Sequence, residues 1–421
     1  VVLPEEVRLR AVHFSQPEYA RRFQCIGSSC EEDCCSGWQV TVDKPSYDRF
    51  KAIDDDELRP IFEQHLQPLT EQQKQQHPSV FAIIQMLPSG ACPFLSTERL
   101  CSIQLKRGPE SLCKTCATFP RMPRVIDEKH ETALSLSCPE AARIVLLEED
   151  LQISSPDSTP LLWDDQAPPA PEVRNYFWHI REFTIQLLRN RSYLLWQRLF
   201  LLGTFARRLD AIGHGQLERG FPSFLLDFEN AIASGRLHAS METIPPNLPL
   251  QLDLLITMIN LRLGAPLVSR RLLETIEDFG KGIGHLPGVT TAMLAARYDA
   301  AWQQYAKPFF EQHPHFLENY LINQVYRNLF PFGEELFRPG AIQEPAKHFA
   351  RLAIHYSLIK GVLIGVAGCY QKNFSLEIAV KTVQSLYRNF EHHAKFLDDI
   401  QMLLAERGLD NAYGLTMLLR N

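Results

Sequence analysis

"CIGSSCEEDCC" (residues 25–35) puts four cysteines into eleven positions, the last two of them adjacent. So many thiols so close together ask for a disulfide, a zinc ion or an iron–sulfur cluster. Nine of the ten cysteines, Cys25, Cys30, Cys34, Cys35, Cys92, Cys101, Cys113, Cys116 and Cys138, precede residue 139; Cys369 alone lies beyond it.

Composition narrows the choice. The 421 residues are 45% apolar and 22% charged, ordinary for a globular chain long enough for more than one domain. A formal net charge of −6 argues against a general nucleic-acid binder, which is usually basic. No run of eighteen apolar residues occurs, so no membrane insertion is expected. The opening "VVLPEEVRLRAVHF" carries Glu5, Glu6, Arg8 and Arg10 before any apolar block forms, unlike a secretory signal. A cytoplasmic location is therefore expected. Thiols stay reduced there, and clustered cysteines are more often ligands than disulfides.

Cysteine use changes at "ISSPDSTPLLWDDQAPPAPE" (153–172), where five prolines remove backbone donors and fix φ. The chain divides there into a cysteine-rich metal-binding domain (1–152), a proline-rich linker (153–172) and a helical domain (173–421). In the last, Phe177, Ile180, Phe183, Leu187 and Leu188 form one apolar stripe; Leu195, Leu199, Leu202 and Leu209 form another. Further helices are expected over 251–263, 268–279, 289–311, 315–329, 344–367 and 375–406, the last capped by Ser375. The fold class is mainly α, with "WQVTVD" (38–43) as the best short strand.

The first cysteine block reads C-x4-C-x3-C-C; "CPFLSTERLC" (92–101), "CKTC" (113–116) and "SCPE" (137–140) follow. Soft thiolates suit zinc and iron–sulfur clusters alike. Adjacent cysteines are awkward for one tetrahedral ion, whereas a cubane offers several irons to neighbouring thiolates. The vicinal pair therefore leans toward a cluster and leaves zinc open. A purely structural site would still contribute about 10 kcal/mol or more to folding. Arg99, Lys106, Arg107, Lys114, Arg121, Arg124 and Lys129 make the second block basic. Positive charge there would offset thiolates and could hold an anionic cofactor, with Arg121, set among prolines, the foremost candidate. Cys369, alone in an apolar run, reads as an inert buried thiol.

The strings "FQCIGSSCEEDCCSGWQVTVD", "CPFL", "CATFPR", "SLSCPEAAR", "LENYLINQVYRNLFPFG" and "SLYRNFEHH" together resemble the flagellin lysine-N-methylase family, within a wider group of cysteine-rich zinc- or iron-chelating proteins. The resemblance implies a bacterial enzyme that transfers methyl groups from S-adenosylmethionine to lysines of flagellin and carries an iron–sulfur cluster, expected as 4Fe-4S. It places Cys25, Cys30, Cys34, Cys35, Cys92, Cys101, Cys116 and Cys138 at the family's cysteine positions, four expected per cluster. Cys113 departs from the pattern and is set aside.

Neither familiar S-adenosylmethionine signature is present. "FGKGIGHLPG" (279–288) follows a helical pattern rather than a strand, and reads as a helix-terminating loop. The glycines of "KGVLIGVAG" (360–368) fall within a helical stripe. The three-cysteine spacing of radical enzymes fails because position 37 is Gly. Lysine ordinarily titrates near ~10.4, so its proton must be removed before attack. Glu140 and Tyr320 are the candidates by motif position. The alternative function is a non-catalytic zinc- or iron-chelating scaffold whose helical domain binds a partner.

Overall fold

The computed structural model describes residues 16–127, 129–154, 171–212, 214–265, 267–338, 341–342, 344–390 and 394–421. The opening segment and most of the expected linker, 155–170, lie outside the described residues.

Beyond residue 170 every regular element among the described residues is helical, as the apolar stripes require. The helices are α8 (Pro171–Arg189), α9 (Leu195–Ile212), α10 (His214–Ala233), α11 (Arg236–Glu242), α12 (Leu248–Leu263), α13 (Arg270–Ile283), α14 (Thr291–Ala301), α15 (Lys307–Gln312), α16 (His315–Arg327), α17 (Pro345–Tyr370), α18 (Leu376–Phe390), α19 (Ala394–Glu406) and α20 (Ala412–Leu419). A π-helical turn, Trp302–Ala306, joins α14 to α15. The expected helix over 375–406 is thus two, and the Ser375 hydroxyl does accept from the Ile378 amide at the start of α18.

α17 is the central helix, packed against α9, α12, α13, α14, α18 and α20. The helix is long and apolar enough to cross a membrane by length and composition, but 78% of its most apolar stretch is buried inside this fold. Its glycines serve close packing. A Cβ on Gly282 of α13 would sit 1.7 Å from the Gly365 carbonyl oxygen of α17, so the two backbones touch where any side chain would part them. Gly284, not Gly282, ends α13, in the left-handed conformation at φ 62°. Gly282 of the first glycine-rich stretch and Gly365 and Gly368 of the second thus meet at one helix crossing.

The N-terminal part is more mixed than helices and loops alone. Short helices α1 (Tyr19–Arg22), α2 (Lys44–Lys51), α3 (Leu58–His65), α4 (Glu71–Gln76), α5 (Ser102–Arg107), α6 (Lys114–Thr118) and α7 (Pro139–Leu146) alternate with three small antiparallel sheets. β1 (Gln16–Pro17) pairs with β7 (Ile153–Ser154). β2 (Val40–Val42), within the expected "WQVTVD" strand, and β3 (Leu66–Pro68) flank β4 (Ala82–Ile84). β5 (Arg121–Ile126) and β6 (Lys129–Leu134) form a hairpin.

Two hydrophobic clusters form among the described residues. A small one gathers Val40, Phe50, Phe62, Ile84, Phe94, Cys92 and Cys113. The large one joins Tyr19, Leu134, Leu136 and Val145 to the C-terminal helices. Asn323 of α16 fixes this junction: its Oδ1 accepts from the Tyr19 hydroxyl at 2.6 Å and its Nδ2 donates to the Leu134 carbonyl at 2.9 Å. Nearby, Arg181 and Glu131 form an ion pair at 3.1 Å with both side chains 3% exposed.

A cysteine-lined cavity as the candidate functional site

Six cysteines line one cavity of about 60 Å³ beside the small core: Cys34, Cys35, Cys92, Cys101, Cys113 and Cys116. Local structure brings them from four segments. The Cys92 amide donates to the Cys35 carbonyl at 2.6 Å, tying the vicinal-cysteine loop to the second block. Cys101 caps α5, and Cys113 caps α6, one turn before Cys116. Trp38, Phe50, Phe94 and Phe119 close the walls with apolar surface.

Hydrogen bonds between thiols set their acidity. Cys34 is lowered to about 7 because Cys35 donates to it, and the same bond with burial pushes Cys35 up. Cys116 likewise lowers Cys113 and is itself raised. Burial pushes Cys92 up to about 11 and raises Cys101. A buried thiolate is costly without a cation to balance it.

The other predicted cysteines sit alongside. Cys25 is exposed, Cys30 half-buried and Cys138 buried. Cys30 and Cys138 both feel the charge of Cys34, and burial pushes Cys138 up to about 12. Among the described residues, no three His, Cys, Asp or Glu side chains stand in a ready-made metal-holding arrangement. The donor set itself is all sulfur, and that chemistry fits a thiophilic centre rather than a hard cation. Cys113, set aside on pattern grounds, is 1% exposed on this cavity's wall. Cys369 is half-buried and lies 4.0 Å from the Asp278 carboxylate, away from the cavity.

Arginines pin the vicinal-cysteine loop to the helices. Arg388 of α18 donates to the Asp33 carbonyl at 2.8 Å and the Ser36 carbonyl at 2.9 Å, and pairs with Glu32. Arg143 of α7 pairs with Glu31 at 2.6 Å, and Arg271 of α13 lies 3.8 Å from the same carboxylate. Sequence reasoning did not single these out, although Arg143 ends "SLSCPEAAR" and Arg388 lies in "SLYRNFEHH".

The remaining candidates divide. Arg121 donates to the Phe23 carbonyl at 2.7 Å and stacks over the Phe23 ring, two residues before Cys25. Glu140 sits in the first turn of α7 and pairs with Arg143 at 2.8 Å. Tyr320 has no exposed surface. Much of the basic stretch is met by carboxylates: Lys106 by Glu57 at 2.5 Å, Arg124 by Glu334 at 2.7 Å, Arg99 by Asp33 at 3.8 Å.

The profile of the FliB lysine N-methylase C-terminal domain matches residues 181–418, more than half of the chain. The chain belongs to the FliB lysine N-methylase family. It is similar to the lysine-N-methylase of Salmonella typhimurium, 26% identical over 258 residues, which is 59% of this chain and 61% of that protein. The lysine-N-methylase of Salmonella choleraesuis matches to the same extent. The flagellar biosynthetic protein FliU of Salmonella muenchen is 32% identical over 144 residues, 34% of this chain and 82% of that protein. The chain thus spans 61% of the length of the lysine-N-methylases it matches. No solved structure matches it. The matched FliB domain contains Arg271 and Arg388 of the clamp, while the cavity cysteines precede it.

Proposed function

We propose that this chain is a protein-lysine N-methyltransferase that transfers methyl groups from S-adenosylmethionine to flagellin in the cytoplasm. Membership of the FliB family is the observation that carries this reading, and the relatives named lysine-N-methylase and flagellar biosynthetic protein support it. In the transfer, the neutral lysine amine attacks the sulfonium methyl carbon. The carbon–sulfur bond breaks with its electrons to sulfur, leaving S-adenosylhomocysteine, and the methylated nitrogen sheds one proton. Glu140, partly exposed beside Cys138, is the carboxylate we propose to take the proton from the lysine ammonium before the attack.

The same proposal gives the cavity cysteines an iron–sulfur cluster, with zinc as the alternative metal. Four of Cys34, Cys35, Cys92, Cys101, Cys113 and Cys116 would supply its thiolates, and Cys25, Cys30 and Cys138 adjoin them. Such a centre supplies positive charge among the thiolates, of which Cys92 and Cys113 are buried, and binds several chain segments together. Arg121, which is not part of the cavity lining, would act only by holding Phe23, two residues before Cys25.

The test is incubation of anaerobically purified protein with S-adenosylmethionine and flagellin, read by intact-mass spectrometry. Flagellin should gain whole methyl masses on lysine. No gain with intact metal content would overturn the methylase reading and favour a metal-chelating scaffold.

A further inference from the structure

A larger cavity, about 460 Å³, opens where the β5–β6 hairpin meets helices α16, α17 and α18. That volume falls within the usual range for small-molecule sites. His348, Arg351 and His355 follow one another on α17 at spacings of three and four, so one helix face supplies one wall. Arg124 comes from β5 and Gln324 from α16.

Those last two residues leave donors unmet. Arg124 is 9% exposed and Gln324 3% exposed. Two Arg124 nitrogens are used, by Glu334 at 2.7 Å and by the Arg327 carbonyl at 3.3 Å, but its Nε has no partner among the described residues. The Gln324 carbonyl accepts from Asn328 at 2.9 Å, yet its amide nitrogen has no partner among the described residues. Buried donors are nearly always satisfied, so two unmet ones on one cavity wall call for an acceptor from outside the chain. Arg351 and Arg338 add positive charge, Arg338 exposed at the mouth.

The mouth also carries the opposite charge. Glu334 is 57% exposed and Glu335 38% exposed at the side chain. Anion-seeking donors inside and carboxylates outside match a zwitterion. A lysine side chain offers only a cation and would leave the inner donors empty. An α-amino acid offers a carboxylate and an ammonium a short distance apart. Tyr387 and Phe330 add aromatic surface for a larger body attached to it.

We propose that this pocket binds the amino-acid end of S-adenosylmethionine, with Arg124 and Gln324 receiving the carboxylate and Glu334 and Glu335 the ammonium. The identity of the ligand rests on the methylase reading above; the zwitterion-binding character rests on the pocket alone.

The test is calorimetric titration of the full chain with S-adenosylhomocysteine, the stable product with the same amino-acid end. Gln324→Glu keeps the side-chain size but opposes a carboxylate, and should weaken binding at least about ten-fold, or ~1.4 kcal/mol. Arg338→Glu, at an exposed position that does not endanger folding, should weaken it several-fold. Thermal unfolding without ligand checks that each variant is folded; if Gln324→Glu is not, Arg338→Glu decides. Undiminished binding in the folded variants overturns the pocket assignment, its inner donors then being served by water, and leaves the methylase reading standing. Absence of binding to the wild-type chain overturns the methylase reading and the ligand named here together.

Discussion

Arg388 reaches Ser36 across 352 residues of sequence, its Nη2 donating to the Ser36 carbonyl at 2.9 Å. The same guanidinium holds the Asp33 carbonyl at 2.8 Å, so one side chain of the helical part brackets Cys34 and Cys35 from both sides. A short loop of polar residues has little burial to stabilise it. Charge-assisted hydrogen bonds from a rigid helix replace that missing core.

Replacing this bracket should loosen the loop before it unfolds the protein. Arg388→Ala removes hydrogen bonds from a charged donor, worth about 1.5–3 kcal/mol each when buried, less here because the site is partly exposed. We expect Cys34 and Cys35 to be alkylated several-fold faster and the bound metal per chain to fall. Unchanged labelling rates and metal content would show that the clamp does not order the loop.

The α13–α17 crossing makes a paired prediction. Gly282→Ala forces a methyl group onto the Gly365 carbonyl, and should destabilise by about 1–3 kcal/mol or more as the helices part. Gly280, two residues earlier on α13 and with open space where its Cβ would be, should respond oppositely. Gly280→Ala is expected to stabilise by roughly 0.5–1 kcal/mol through helix propensity. Thermal unfolding of the two variants checks both signs.

Lys360 supplies a pH signature. It is 5% exposed and donates to the Leu419 carbonyl at 3.0 Å; burial lowers it from 10.5 to about 7. A base with a depressed folded-state value favours the folded state fully above its unfolded value and loses that contribution as pH falls. Stability should therefore decline between pH 10.5 and about 7, approaching 1.4 kcal/mol per pH unit at most from this group, and level off below. Lys360→Met should remove this component and raise stability at neutral pH. Denaturant midpoints across that range measure it.

Much of this architecture was readable from side-chain periodicity, because buried helices repeat their apolar residues on one face. α8 and α9 cover the two stripes, and α12, α13 and α16 begin and end within a few residues of their expected ranges. α10 escaped notice because Pro222 lies inside it, and the β5–β6 hairpin because Pro123 interrupts a strand rich in arginine. The nine early cysteines announced a thiol-rich site, but spacing along the chain does not encode convergence in space. Cys113, which departs from the family's cysteine pattern, nonetheless faces the same cavity as Cys92. The arginine clamp and the pocket beside α17 depend on residues hundreds of positions apart, beyond the reach of any local pattern.

Cys113 and Cys369 offer a contrast between thiols. Cys113→Ser places a hydroxyl in the small apolar core and removes a cavity sulfur; we expect lower metal content and a loss of about 1–3 kcal/mol in stability. Cys369→Ser, at a half-buried position near Asp278, should leave metal content unchanged. Equal metal content in both variants would remove Cys113 from the proposed centre.

The most direct test of the central claim is iron, sulfide and zinc analysis of anaerobically purified protein, combined with mass mapping of which cysteines can be alkylated. The account predicts stoichiometric metal, with Cys34, Cys35, Cys92, Cys101, Cys113 and Cys116 protected until the centre is removed. A folded, methyl-transferring preparation without metal, in which all six react as free thiols, would contradict it.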